Sequence, residues 1–155
     1  MSKQKVKSHN RSLFMYHIVC PSKYRRVVFG EKVDQVLKEV CLEIADRYEI
    51  DFLEIGVDRD HVHFLVQSVP MYSPTKVVRT IKSITAREIF SRVPEVKKQL
   101  WGGEFWSKAY YVSTVGKHGD EQKIANYVRS QGAGENYKIL HQQAIRLGQM
   151  SLFEG

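Results

Sequence analysis

Two histidines stand two positions apart in the run DRDHVHFLVQ, residues 58 to 67. The run has the two-residue period of a β-strand, in which successive side chains point to opposite faces. His61 and His63 therefore lie on one face with Leu65 and Gln67, and the apolar residues at 62, 64 and 66 lie on the other. Two imidazoles side by side on a rigid strand are a candidate pair of metal ligands.

Histidine spacing alone does not establish a metal site. Six histidines in 155 residues produce such a pair by chance in about one chain in four or five. Two imidazoles cannot complete a zinc tetrahedron, and no cysteine or third histidine lies nearby at a familiar ligand spacing. An amide oxygen such as that of Gln131, together with waters and a phosphate oxygen, would give a mixed nitrogen and oxygen site suited to Mn²⁺ or Mg²⁺.

A second candidate feature is DEQKIANYVRSQG, residues 120 to 132. As a helix from about 120 to 131, this segment aligns Ile124, Tyr127, Val128 and Gln131 along one stripe. A half-buried tyrosine beside a hydrogen-bonded amide gives the same stripe, and for a tyrosine taken at random that structural interpretation is favoured. The spacing therefore identifies a helix without identifying its chemistry.

The hydrophobic pattern predicts the elements before and around the histidines. SLFMYHIVC, residues 12 to 20, is typical of a strand, and apolar residues at three-and-four spacing predict a helix from Glu31 to Tyr48. FLEIGVD, residues 52 to 58, predicts a strand that pairs with the histidine strand in a hairpin. The histidines are thus expected on one strand of a sheet.

Two further elements follow the hairpin. Ser73 and Pro74 are typical of the start of a helix, which continues to about Arg92. YYVSTVG, residues 110 to 116, predicts a fourth strand, and the tyrosine-bearing helix follows it. The predicted order is β-α-β-β-α-β and then a helix.

This order predicts an α+β fold of the ferredoxin-like or RRM-like split βαβ type. In that arrangement an antiparallel sheet carries two helices on one face and leaves the other face free for a site. We expect one domain over 1–155, with a basic N-terminal arm at 1–11 and a C-terminal tail or short helix at 135–155.

Charge and composition limit the classes of partner. The chain has 24 Lys and Arg against 17 Asp and Glu, a net charge of +7 and a pI near 9.4, which favours a polyanion such as nucleic acid. Residues 71 to 98 include seven basic residues and only two acidic ones. No apolar stretch approaches the roughly 20 residues of a membrane span, and no signal peptide pattern is present, so we expect a cytoplasmic protein without membrane contact.

Four blocks of the sequence resemble the single-tyrosine HUH transposases of small bacterial insertion sequences, which include the REP-associated tyrosine transposases. The blocks are YHIVCPSKYRRVVF at 16–29, DHVHFLV at 60–66, LWGGEFWSKAYYVSTVG at 100–116 and NYVRSQG at 126–132, in the family's order. The resemblance implies that His61 and His63 bind a divalent metal, Mg²⁺ or Mn²⁺, and that Gln131 completes the metal site. It also implies that Tyr127 is a nucleophile that forms a covalent 5′-phosphotyrosine.

The resemblance also implies a substrate and an assembly. The substrate would be single-stranded DNA folded into hairpins at the ends of the element, cut and rejoined without a nucleotide cofactor, in keeping with the lack of a Walker A motif. The protein would be a homodimer whose active sites are shared between chains. Trp101, Trp106 and Tyr110 are candidates for stacking on bases, although such aromatic residues more often belong to the core. The backbone contacts would come from Lys23, Tyr24, Arg25, Arg26, Lys76, Arg79 and Lys82.

Two other functions remain open at this stage. A non-enzymatic, RRM-like binder of single-stranded nucleic acid would need neither His61 nor Tyr127, although no ribonucleoprotein signature is present in the strands. A domesticated tyrosine transposase or a nickase of the replication-initiator type would use the same chemistry on other DNA.

Overall fold

The computed structural model describes residues 13–117, 126 and 136–143. The strands and α-helices are β1 (Phe14–Pro21), α1 (Glu31–Arg47), β2 (Ile50–Asp58), β3 (His61–Ser68), α2 (Pro74–Arg92), β4 (Tyr111–Lys117) and β5 (Tyr137–Gln142). These five strands form one antiparallel sheet in the order β4-β1-β3-β2-β5. The first four strands have the order of the split βαβ arrangement, so the predicted α+β fold is confirmed.

Helices α1 and α2 form as the apolar spacing predicts. In α1 the residues at three-and-four spacing, such as Val33, Leu37 and Ile44, are buried against the sheet. Helix α2 is capped by Ser73, whose hydroxyl accepts a hydrogen bond of 3.0 Å from the backbone N–H of Lys76. Both helices pack with the alternate residues of β3 at 62, 64 and 66 in one core cluster. The opposite face of β3 is therefore directed away from the helices.

Strands β2 and β3 form the predicted hairpin. The turn residue Arg59 has a φ of 33°, and β3 begins two residues later. In the antiparallel register Asp58 pairs with His61 and Gly56 pairs with His63. On the other side of β3, Val19 of β1 pairs with His63. The histidine strand thus lies between two neighbours, which fixes the direction of its side chains.

The C-terminal prediction is wrong in one respect. Residues 135–155 were expected to form a tail or a short helix, but Tyr137–Gln142 is an edge strand that pairs with β2. Its side chains are exposed or only half-buried, so the sequence lacks the strong apolar alternation of an inner strand. The predicted strands at 12–20, 52–58 and 110–116 are confirmed with small shifts at their ends.

Several predicted segments lie outside the described residues. They include the N-terminal arm at 1–11 and nearly all of the predicted helix at 120–131, in which Asn126 alone is described and is helical. Tyr127 and Gln131 are therefore not located by the structure. In the described ranges, no helix is long and apolar enough to span a membrane.

Candidate functional site

The paired histidines project from the face of β3 opposite to the one that packs against α1 and α2. Their neighbours Val62 and Phe64 are fully buried in the core, whereas His61 and His63 are half-buried. Their Nε2 atoms lie 3.2 Å apart. Two ligands bound at about 2.1 Å to one ion, at angles of about 90 to 109°, are separated by about 3.0 to 3.4 Å. The pair therefore fits two adjacent ligands of one cation.

Asp60 sets the orientation of the first imidazole. Its Oδ1 lies 2.9 Å from His61 Nδ1, so that a proton on Nδ1 is donated to the carboxylate and Nε2 keeps its lone pair. Its Oδ2 lies 3.2 Å from Nε of Arg25. Burial alone would raise the pKa of Asp60, but the hydrogen bond from His61 and the charge of Arg25 outweigh it and lower the pKa. Asp60 is therefore a carboxylate at neutral pH.

A third histidine contacts the second imidazole. Nε2 of His17 lies 2.8 Å from Nδ1 of His63, and the two rings are stacked with centroids 5.1 Å apart and planes 7° from parallel. Desolvation lowers the pKa of both groups to about 4, with the neighbouring His17 and His61 adding to the effect at His63. Both imidazoles are thus neutral at pH 7, which is the state that can bind a metal.

Sequence reasoning missed His17. It lies in β1, 46 positions before His63, and no spacing rule connects the two. The contact depends on the pairing of β1 with β3, in which Val19 is opposite His63 and His17 is opposite Leu65. Strand register is set by long-range packing. The sequence therefore places His17 in a strand but does not predict which residue it contacts.

A second missed group lies on the other side of His63. The Tyr137 ring of β5 meets the His63 ring edge to face, with centroids 5.6 Å apart. Its hydroxyl donates to Glu54, and Gln142 Nε2 donates to the same carboxyl group at 3.0 Å. Burial raises the pKa of Glu54, against the smaller opposing effect of these two hydrogen bonds. Gly56 lies beneath the Tyr137 ring, where a Cβ would collide with it.

The described residues alone do not complete a metal site. Within residues 13–117, 126 and 136–143, no three His, Cys, Asp or Glu side chains are grouped as a cation would require. A cation bound by His61 and His63 would need further ligands from outside these residues. Tyr127 and Gln131, which the family resemblance placed in the site, lie outside the described residues.

The first predicted set of DNA contacts adjoins the histidines. Residues Lys23–Arg25 form a short 3-10 helix directly after β1, with Tyr24 at a φ of 59° and Arg25 at 54°. Tyr24 is exposed, and Arg25 is ion-paired to Asp60. Arg26 stacks on the exposed ring of Trp101 at 5.5 Å, and Lys23 is ion-paired to Glu104 at 2.8 Å. The basic segment is therefore tied directly to the carboxylate that orients His61.

The second predicted set lies on α2. Lys76 and Arg79 are exposed, as a phosphate-binding surface requires. Lys82 is half-buried, and its ammonium donates to the carbonyl oxygen of Ser107 at 2.8 Å, while desolvation lowers its pKa. Lys82 therefore holds the segment before β4 in addition to any role in binding.

One of the three stacking candidates is a core residue, which is the more common role of such a side chain. Trp106 is only 5% exposed, packs against Phe29 and Phe105, and donates from Nε1 to Thr85 Oγ1 at 2.9 Å. It belongs to the core and cannot stack on a base. Trp101 is 70% exposed, so its ring remains accessible.

The sheet order, the histidine pair and the adjoining basic segment together define an α+β protein with a candidate nucleic-acid site on one face of its sheet. A family profile described as "Transposase IS200 like" matches residues 10–131. The chain belongs to the IS200-like transposase family. Transposases cut DNA, and membership therefore makes this chain a DNA-cleaving enzyme.

Individual relatives agree with this assignment. The chain is 33% identical over 116 residues to the ISDra2 transposase TnpA of Deinococcus radiodurans, covering 75% of this chain and 82% of that protein. It is 32% identical over 135 residues to the transposase for insertion sequence element IS200 of Salmonella typhimurium, covering 84% and 85%. A crystal structure of a candidate transposase from Deinococcus radiodurans R1 has a TM-score of 0.62 at 30% identity, covering 79% of this chain and 93% of that one.

Proposed function

We propose that this protein cuts and rejoins single-stranded DNA at hairpin-bearing ends of an insertion sequence, through a covalent 5′-phosphotyrosine on Tyr127. The observation that carries the proposal is the convergence of His61 Nε2 and His63 Nε2 at 3.2 Å on the sheet face opposite α1 and α2. Two lone pairs directed at the same point repel each other unless a proton or a cation lies between them. Because Asp60 and His17 are placed to take the Nδ1 protons, a cation is the better occupant.

The cation in this proposal is Mg²⁺ or Mn²⁺, held by His61, His63 and the amide oxygen of Gln131. Imidazole and oxygen ligands together suit these ions better than a thiolate set would. When bound, such an ion neutralises charge on a phosphodiester oxygen and polarises the phosphorus. No nucleotide cofactor takes part.

The covalent step belongs to Tyr127. Its hydroxyl oxygen attacks the phosphorus in line and forms the new O–P bond, while the bond from phosphorus to the 3′ oxygen breaks. The phenol loses its proton to solvent, and the released 3′ oxygen gains one, so that a 5′-phosphotyrosine and a free 3′-OH result. Attack of a 3′-OH on the phosphotyrosine reverses these bonds. One phosphoester replaces another at each step, and rejoining needs no ATP.

The basic segments would hold the DNA strand near this centre. Arg25 and Arg26 follow β1, and Arg25 is ion-paired with Asp60, so a backbone bound there would pass the histidines. The exposed Lys76 and Arg79 extend the positive surface along α2. Trp101 could stack on an unpaired base, and the Arg26 guanidinium above its ring would add to the attraction.

A homodimer with shared centres is part of the proposal. One chain would supply the histidine pair and its partner would supply the tyrosine-bearing helix. Mixing a Tyr127→Phe chain with a His61→Ala chain tests this arrangement, because exchange of the helices restores one complete centre per dimer. We expect the mixture to regain cleavage that neither variant has alone. A mixture as inactive as its components would show that each chain completes its own centre.

The proposed chemistry is tested by a denaturing gel. The protein is incubated with Mn²⁺ and labelled single-stranded hairpin DNA taken from the sequence flanking its gene, beside Tyr127→Phe and a sample with EDTA. We expect a covalent adduct that both controls abolish, and peptide mapping that finds the label on Tyr127. Binding without an adduct in either Mg²⁺ or Mn²⁺ would instead favour a nucleic-acid binder or an inactive copy.

A further inference from the structure

Resting on the proposed metal site, we propose that His17 is a positioning residue that holds the proton of His63 on Nδ1. The His63 Nε2 lone pair is then directed at the cation. The contact that carries this inference is the 2.8 Å separation between His17 Nε2 and His63 Nδ1. A neutral imidazole carries its proton on only one nitrogen, so a hydrogen bond to one nitrogen decides which atom can bind a metal.

The two metal-facing histidines differ in what supports them. His61 Nδ1 lies against the Asp60 carboxylate, which is a common partner for a ligating histidine. In the part of the chain that the structure describes, no carboxylate is hydrogen-bonded to His63, and its Nδ1 meets an imidazole instead. With its proton on Nδ1, His63 donates to Nε2 of His17. His17 then performs for His63 the role that Asp60 performs for His61.

His17 is held firmly enough to serve this role. It lies in β1, between β4 and β3 in the sheet, and is 9% exposed. Its ring is stacked on that of His63 at 5.1 Å and meets the edge of the Tyr111 ring at 6.0 Å. On the other side, the Tyr137 ring contacts His63 at 5.6 Å. The His63 ring therefore has packing partners on two sides and a hydrogen-bond partner at Nδ1.

The test measures the tautomer and the metal affinity separately. In ¹⁵N-labelled protein kept free of metal, long-range ¹H–¹⁵N correlation spectra report which nitrogen of each histidine carries the proton. We expect the Nδ1–H form of His63 in the wild type, and a shift toward Nε2–H in His17→Leu, which offers no acceptor. His17→Gln, whose amide oxygen can accept the same hydrogen bond, should retain the Nδ1–H form.

Mn²⁺ affinity of the full chain follows the tautomer if the inference is right. We expect His17→Leu to weaken Mn²⁺ binding by about 10-fold or more, in the range found when partners of metal ligands are removed. His17→Gln should stay within about threefold of the wild type. The control is His141→Leu, which removes a half-buried histidine of β5. Urea unfolding of each variant identifies any loss caused by misfolding.

The outcomes separate this inference from the proposed function. If His17→Leu keeps both the Nδ1–H form of His63 and wild-type Mn²⁺ affinity, His17 has no positioning role and the inference is overturned. If His17→Leu and His17→Gln lose affinity equally, the effect is one of packing and the inference is also overturned. If the wild type binds no Mn²⁺, the proposed metal site itself is wrong, whatever the tautomer spectra show.

Discussion

Asp60 joins the histidine pair to the surface proposed to bind DNA. One carboxylate oxygen contacts His61 and the other contacts Arg25. We expect Asp60→Ala to weaken Mn²⁺ binding by about 10- to 100-fold, because His61 loses the partner that fixes its ring and its tautomer. A titration followed by the electron paramagnetic resonance signal of free Mn²⁺ measures the change.

The matched control for this variant is Asp58→Ala. Asp58 pairs with His61 across the hairpin, and its replacement by alanine removes the same charge as Asp60→Ala does. A much smaller loss is expected for Asp58→Ala. Equal losses for the two variants would mean that total negative charge, and not the contact with His61, determines Mn²⁺ affinity.

Burial of two imidazoles makes stability depend on pH. Desolvation lowers the folded-state pKa of His17 and His63 to about 4, against about 6.5 in an unfolded chain. Between these pKa values the unfolded state binds more protons than the folded state does. The free energy of unfolding therefore rises with pH through this window and decreases as the pH falls. We expect the metal-free protein to lose about 1 to 3 kcal/mol between pH 7 and pH 5 from these groups.

Urea unfolding at the two pH values measures this loss. The double variant His17→Leu/His63→Leu lacks both groups and should lose distinctly less free energy between pH 7 and pH 5. A double variant with the same pH dependence as the wild type would contradict the assignment of the effect to these histidines.

At the scale of elements, the edge strand β5 supports the site through one close approach. Tyr137 lies over Gly56 and donates to Glu54, and a Cβ at position 56 would collide with its ring. We expect Gly56→Ala to displace Tyr137 and to speed amide hydrogen exchange across 137–142, because β5 is joined to the sheet through β2 alone.

A double-mutant cycle with Tyr137→Ala provides the control for this prediction. Removal of the ring removes the collision, so Gly56→Ala should add little in that background. If Gly56→Ala destabilises β5 equally with and without the tyrosine ring, the cause is the backbone of β2 and not the contact with Tyr137.

The elements also show what the sequence could and could not predict. Helices α1 and α2 were predictable because three-and-four apolar spacing directly reflects a buried face. Strand β5 was not predictable, because an exposed edge strand has little alternation of apolar and polar residues. His61 and His63 were found because they share a strand. The contact of His17 with His63 could not be predicted, because it depends on the register of two strands. Trp106 is a core residue, as such aromatic residues more often are, but composition alone could not separate it from the exposed Trp101.

At the scale of the whole molecule, a net charge of +7 favours a polyanionic partner, and the exposed Lys76 and Arg79 lie on one helix. If each contacts one phosphate, the double alanine variant should reduce the salt slope of log K for single-stranded DNA by about 0.7 per contact. Fluorescence anisotropy measures the binding constant at salt concentrations from about 50 to about 300 mM, and the slope is read from these constants.

Lys32→Ala is the control for the salt slope, since Lys32 is ion-paired with Glu95 at 3.0 Å. Its slope should match that of the wild type. An unchanged slope for the Lys76 and Arg79 variant would exclude these two residues from the DNA contact, leaving the segment that follows β1 as the main basic surface.

The atoms that hold the cation can be identified directly by spectroscopy. Pulsed electron paramagnetic resonance of bound Mn²⁺ in protein with ¹⁵N-labelled histidine detects imidazole nitrogens attached to the metal. We predict coupling to two histidine nitrogens in the wild type, and to one in His63→Ala and one in His61→Ala. Bound Mn²⁺ without histidine coupling, or with coupling unchanged in both variants, would contradict a cation held by this pair.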